Sequence, residues 1–117
     1  MRVYLAAIFA SSIFVGAAES NSVSVRIGDY LKNNNNLSMR ELNVLYLDGV
    51  REGITTALAL LPDGTEPICM PPKLALTVEQ AEEIMLRFAK DHSPKADTPI
   101  GVILYLGLKD AFPCAKR

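Results

Sequence analysis

The sequence predicts a small all-α domain, a bundle of about four helices closed by one disulfide. Three observations predict it. Apolar residues recur three or four apart over three long segments, the spacing of one helix face. Ser38-x-x-Glu41 and Thr77-x-x-Gln80 both read as capping boxes, in which side chain and backbone exchange hydrogen bonds at a helix start. The chain has 2 cysteines, Cys69 and Cys114, and they bracket the last two helical segments.

The N-terminus sets the compartment. Met1-Arg2 is a short positive start, Val3 to Val15 is apolar apart from Ser11 and Ser12, and Gly16-Ala17-Ala18 supplies small residues. That is the layout of a secretory signal peptide over residues 1–18. The apolar run is short of the roughly 20 residues that a membrane-spanning helix needs, so an uncleaved anchor is the weaker alternative. Cleavage after Ala17 or Ala18 leaves one domain, residues 19–117, in an oxidising compartment where paired cysteines bridge. Expected here is therefore a periplasmic chain with a structural Cys69–Cys114 bond and no membrane attachment after cleavage. Past Arg2 the chain carries 11 Lys and Arg against 13 Asp and Glu. That slightly acidic balance gives no phosphate-binding surface and so no nucleic-acid partner.

The elements follow in order. Val23, Val25 and Ile27 alternate as in a strand, yet Ile27, Tyr30 and Leu31 share one helical face, and the reading favours a short helix near 26–33. Asn33-Asn34-Asn35-Asn36 is a polar loop. From Ser38 a helix should run over about Met39 to Leu61, with Leu42, Tyr46, Gly49, Gly53, Ala57 and Leu60 on one face. Two glycines inside a helix cost roughly 1 kcal/mol each relative to alanine. Either a neighbouring helix of the same chain approaches closely along Tyr46, Gly49, Gly53 and Ala57, or that face meets another subunit or partner. Pro62-Asp63-Gly64-Thr65-Glu66-Pro67 ends the helix in a turn. The next helix starts at Thr77 and runs to about Asp91, acidic residues first and basic ones last, which complements its dipole. Glu83 and Arg87 are placed to pair one turn apart. His92 to Ala96 is loop. Asp97-Thr98-Pro99 reads as a cap with proline in the first turn, and Ile100, Ile103, Leu104, Gly107, Leu108 and Ala111 form the last apolar stripe up to Pro113.

No enzyme constellation accompanies this pattern. The chain has 1 histidine, His92, in a polar loop, and no Gly-x-Ser-x-Gly elbow. One histidine and two distant cysteines fit no zinc spacing. Glu82-Glu83 is a carboxylate pair on a helix surface with nothing to raise either pKa; together with Glu79 it reads as a solvated face or an acidic binding patch. Neither a phosphate-cradling glycine loop nor a basic, aromatic-laced patch is present. No cofactor or metal is expected, and the reading is a binding protein rather than an enzyme.

Taken together, Ile68-Cys69-Met70-Pro71, a helix, a polar break, a second helix and Ala111-Phe112-Pro113-Cys114 resemble the Rap/Tai-type immunity proteins of bacterial type VI secretion. Tyr46-Leu47-Asp48-Gly49 with Gly53 one turn on resembles the Tyr-x-x-Gly element of their preceding helix. The resemblance covers about residues 38–114. It departs where relatives carry a second cysteine pair: this chain has Tyr30-Leu31-Lys32 and Asn43-Val44-Leu45 there. What the resemblance implies is a small helical periplasmic inhibitor, often a homodimer, whose partner is a cognate secreted peptidoglycan amidase effector. Pro62 to Pro67 is then the candidate partner-binding loop, either a plug for the effector's cleft or an ordinary connection. The alternative is a small periplasmic helical chaperone of the acid-stress type. A small enzyme using His92 ranks third.

Overall fold

The structure is a computed structural model that describes residues 24–115; the expected signal peptide over 1–18 lies outside them. It is all-α, and the described residues form four helices, α1 (Ile27–Lys32), α2 (Leu37–Ala59), α3 (Val78–His92) and α4 (Ile100–Ala111), with a 3-10 turn over Asn33–Asn35. No described residue belongs to a strand.

The last helix is the hub because its sequence is apolar on more than one side. Ile100, Ile103, Leu104 and Leu108 are all buried, and α4 packs most extensively against α3 and also against α2. Ala81 and Met85 face it from α3, Leu47 from α2, and Ile68 and Leu76 from the segment between α2 and α3. Each large apolar side chain so enclosed contributes about 1.5–3 kcal/mol over an exposed one. The α3/α4 pair is tight at Gly107, where an added Cβ would stand 3.1 Å from Ile84 Cγ2 and 3.3 Å from Phe88 Cβ.

The helix starts divide into one expected and two unexpected solutions. At α3 the Thr77/Gln80 capping box forms as read, with Gln80 N–H donating to Thr77 Oγ1 and Thr77 N–H to Gln80 Oε1. At α2 the cap is Asn36, whose Oδ1 accepts from the Met39 amide at 3.3 Å, so the expected Ser38/Glu41 box is displaced by two residues. Asparagine caps as well as serine does, and the asparagine run offers one just upstream. At α4 the expected Asp97 cap is absent: Pro99 holds the N-cap position without a side-chain bond. Instead the Ile100 amide donates to the Val25 carbonyl at 3.0 Å, so backbone from the other end of the chain does the capping.

That bond is part of a seam. Arg26 is extended and bridges Pro99 in antiparallel sense, after which the Ile27 amide donates to Thr98 O and the Gly28 amide to Ala96 O, both at 2.9 Å. Of the alternating pattern only the isolated bridge at Arg26 is seen among the described residues, and the helical reading holds from Ile27. α1 has no cysteine to hold it; the seam and the buried side chains of Ile27 and Tyr30 hold it instead.

Candidate functional site

The candidate site is built at the end of the bundle where α2 stops and the disulfide begins. α2 ends at Ala59, two residues before the expected boundary, because Pro62 disfavours helical backbone in the residue preceding it. Pro62 to Thr65 then close a turn in which Thr65 N–H and Oγ1–H both donate to Pro62 O, at 3.1 and 2.7 Å. Gly64 takes φ 85°, the left-handed value that a type II turn requires at its third position. Its amide donates to Glu66 Oε2 at 3.0 Å. The residues Pro62 to Thr65 and Pro67 are exposed and Glu66 is half-buried.

Both ends of this loop are fixed. Upstream lies the last turn of α2. Downstream, Ile68 is buried and Cys69 is bonded to Cys114, Cα atoms 4.9 Å apart. The Cys69 amide adds a bond to Phe112 O at 3.0 Å, so the start of the linker and the end of α4 are joined twice. The expected disulfide therefore forms, and it anchors the loop to the hub helix.

Two hollows flank the loop. One, of about 200 Å³, is apolar and lies among Ile54, Leu58, Leu61, Pro67 and Tyr105. The other, of about 400 Å³, lies between α2 and residues 66–76 and includes Arg51, Thr55, Met70 and Leu76. Arg51 shapes it: Nε donates to Asp48 at 2.7 Å, Nη1 to Leu76 O at 3.0 Å and Nη2 to Glu52 at 3.4 Å. With its side chain only 18% exposed, this guanidinium ties the linker to α2 by charge-assisted bonds.

The glycine face of α2 lies elsewhere than one of its two expectations. Its core side is formed by Asn43 and Leu47, with Val50, Ile54 and Leu58 packed beside them. Tyr46, Gly49, Gly53 and Ala57 point outward, and a Cβ at either glycine would meet nothing within 4 Å. Close packing of a neighbouring helix of this chain along that face is therefore ruled out among the described residues. The amphipathic pattern had two uncharged faces, and the core took the one that carries Asn43.

The remaining expectations fall away from this end. Glu82 joins Arg40 and the buried Tyr30, whose hydroxyl donates to Glu82 Oε2; Arg40 Nη2 reaches Glu82 Oε1 at 3.3 Å. Burial first, then the Glu82 carboxylate, push the Tyr30 phenol well above its ordinary pKa. Glu83 pairs with Arg87 at 2.9 Å as expected. The two carboxylates thus serve separate ion pairs. His92 is exposed, stacked on Phe88 with ring centroids 3.9 Å apart, and its Nδ1 lies 3.1 Å from Phe88 O. Among the described residues no three His, Cys, Asp or Glu side chains gather closely enough to hold a metal ion.

Sequence reasoning missed Tyr105 and Arg51 as parts of this end. Tyr105 lies between the stripe residues of α4, and only the fold brings it against Leu61 and Pro67. Arg51 sat on the polar side of α2, with nothing local to reveal its partner 25 residues on. Comparison with protein-family models, with curated proteins and with solved structures gives no match.

Proposed function

We propose that this protein is a periplasmic immunity protein that binds and inhibits a cognate peptidoglycan amidase delivered by type VI secretion. The observation that carries the reading is the proline-flanked loop 62–67, exposed at its tip and fixed at its base by the Cys69–Cys114 bond. It joins the motif pattern from Ile68-Cys69-Met70-Pro71 to Ala111-Phe112-Pro113-Cys114 in supporting that family's role.

Inhibition of this kind asks for no chemistry of the inhibitor's own. It asks for a shape that fills a cleft at small entropic cost. The internally bonded turn, Gly64 in its left-handed conformation and the flanking prolines leave little freedom to lose on docking. The hollow lined by Tyr105 and Leu61 offers apolar contact beside the plug, and an aromatic side chain is a favoured anchor in such interfaces.

The test is to mix the purified protein with the amidase encoded beside its gene. Peptidoglycan cleavage should stop at stoichiometric amounts, and co-expression should restore growth. Absence of both binding and rescue with every neighbouring secreted toxin sinks the proposal. A periplasmic chaperone remains the second reading, favoured by the leucines left exposed on α2. It requires further apolar surface to open in acid, read as dye binding that rises toward about pH 2–3.

A further inference from the structure

A further hollow, of about 420 Å³, lies between α1 and the C-terminal half of α3 and takes no part in the loop or the disulfide. Ile27 and Leu31 wall it from α1, Leu86 and Ala89 from α3, and Pro94 and Ala96 close its third side. Concave shape and apolar walls are what a small-ligand site needs. Ser93 turns the third side into place. It ends α3 with φ 45°, a left-handed backbone that usually asks for glycine. It does so directly before a proline, which disfavours helical backbone in the residue ahead. Strain of this kind persists where the surroundings hold it, and it gathers at ligand clamps.

The charge around the hollow is basic. Lys90 lines it, Lys32 follows Leu31, and Lys95 lies between Pro94 and Ala96. All three are exposed, and the ion pairs of the described residues all use arginine, which leaves these lysines without a carboxylate partner. No carboxylate lines the hollow. Each helical residue is turned by about 100° from the last, which carries Asp29 and Asp91 to the far sides of α1 and α3; Asp91 lines the hollow between α3 and α4 instead. Asp97, next after Ala96, has Arg26 beside it, whose guanidinium donates to the Asp97 carbonyl.

We propose that this hollow binds a single-chain anionic amphiphile, such as a fatty acid, with the alkyl tail among Leu31, Leu86 and Ala89 and the head group at Lys32 and Lys90. An apolar floor with a basic rim complements an apolar tail with an anionic head. A neutral solute leaves the rim unused, and a basic peptide is repelled by it. Leu31, 53% exposed, is the wall residue that such a tail would cover. The last carbonyls of α3 repel an anion at the Ser93 end, which sets the tail rather than the head against Pro94. A site walled on three sides takes one tail, whereas a bilayer is met by a protruding apolar face.

Titration of the disulfide-bonded chain with decanoate below its micelle concentration, followed by nuclear magnetic resonance and without any effector, tests this. One saturable site is expected, with amide shifts confined to residues 27–32 and 86–96. From octanoate to decanoate the affinity should rise about fourfold per methylene, the worth of one buried CH2. Decyltrimethylammonium, with the same tail and the opposite charge, should bind about tenfold more weakly than decanoate. L31E and K32E/K90E should each weaken decanoate by about tenfold with the thermal transition in place, since all three positions are exposed. Absence of a saturable site overturns the proposal. So do equal affinity for the cationic amphiphile, shifts centred elsewhere, or binding indifferent to L31E. Two other occupants are separated in the same set. Binding to vesicles of anionic phospholipid without binding of decanoate assigns the surface to a membrane, and self-association abolished by L31E assigns it to a second copy; either result defeats the proposal. Failure of amidase inhibition leaves this measurement unaffected.

Discussion

The Gly28 amide donates to the Ala96 carbonyl at 2.9 Å, and a Cβ built on Gly28 would stand only 2.9 Å from the Cβ of Ala96. The seam that holds α1 to the α3–α4 loop therefore depends on a missing side chain. Replacing a helical glycine by alanine usually gains about 1 kcal/mol. Here Gly28→Ala should instead lose about 1–3 kcal/mol, the usual cost of overpacking. Urea unfolding at neutral pH measures it, and an unchanged or raised midpoint would show that the seam yields freely.

Gly49→Ala and Gly53→Ala carry the opposite sign. Both sites are helical and open, so each alanine should stabilise by about 0.4–1 kcal/mol. Gly107→Ala, pressed against Ile84 and Phe88, should destabilise by about 1–3 kcal/mol. Thermal unfolding of the three variants orders them. Equal effects at all three would contradict the packing described.

The Cys69–Cys114 bond closes a separation of 45 residues. On the chain-entropy account it contributes about 4 kcal/mol, a large share of what a small domain has. C69S/C114S should lower the unfolding free energy by that order. Reduction of the wild type should bring it to the variant's stability. A loss under about 1 kcal/mol would mean that the double variant's unfolded state keeps the two ends together.

Tyr30 links stability to alkaline pH. In the unfolded chain its phenol ionises near pH 10, whereas in the fold burial and Glu82 hold the proton to higher pH. The unfolded state therefore binds fewer protons once the pH passes about 10, and stability falls there by about 1.4 kcal/mol per pH unit. Below about pH 10 the contribution is complete. Tyr30→Phe should flatten this decline, and should cost about 1 kcal/mol at neutral pH through the lost bond to Glu82. Urea titrations from neutral to strongly alkaline pH compare the two slopes.

Helix content was legible from several local signals. The Thr77/Gln80 box, the Pro-Asp-Gly turn, the Glu83–Arg87 pair and the paired cysteines each need only nearby residues or the compartment, and all four stand in the structure. The α2 start slipped by two residues because Asn36 and Ser38 are both competent caps, and sequence does not rank them. The orientation of α2 failed for a different reason. Its leucines divide between two faces, Leu42 and Leu60 on one, Leu47 and Leu58 on the other, and the choice is made by α4, which sequence periodicity does not see. The seam joining residues 25–28 to 96–100 was invisible because backbone groups make it. Of the candidate site, the loop and its disulfide could be read; Tyr105 and Arg51 could not, since each acts through a partner distant in sequence.

In connectivity, the disulfide turns residues 69–114 into a closed ring that contains α3 and α4, with residues 24–68 attached to it by one strand of chain. A protease that cuts the exposed chain at 71–73 or 95–97 opens the ring but leaves one molecule. A cut at 62–65 severs α1 and α2 from the ring outright. A pulling force applied at the N-terminus can unravel the tail, but it meets a covalent stop at Cys69 and cannot draw out the 45-residue span to Cys114. The loop at 62–65 is thus also the point where the chain can be divided in two, and a partner docked there, as proposed, would shield it.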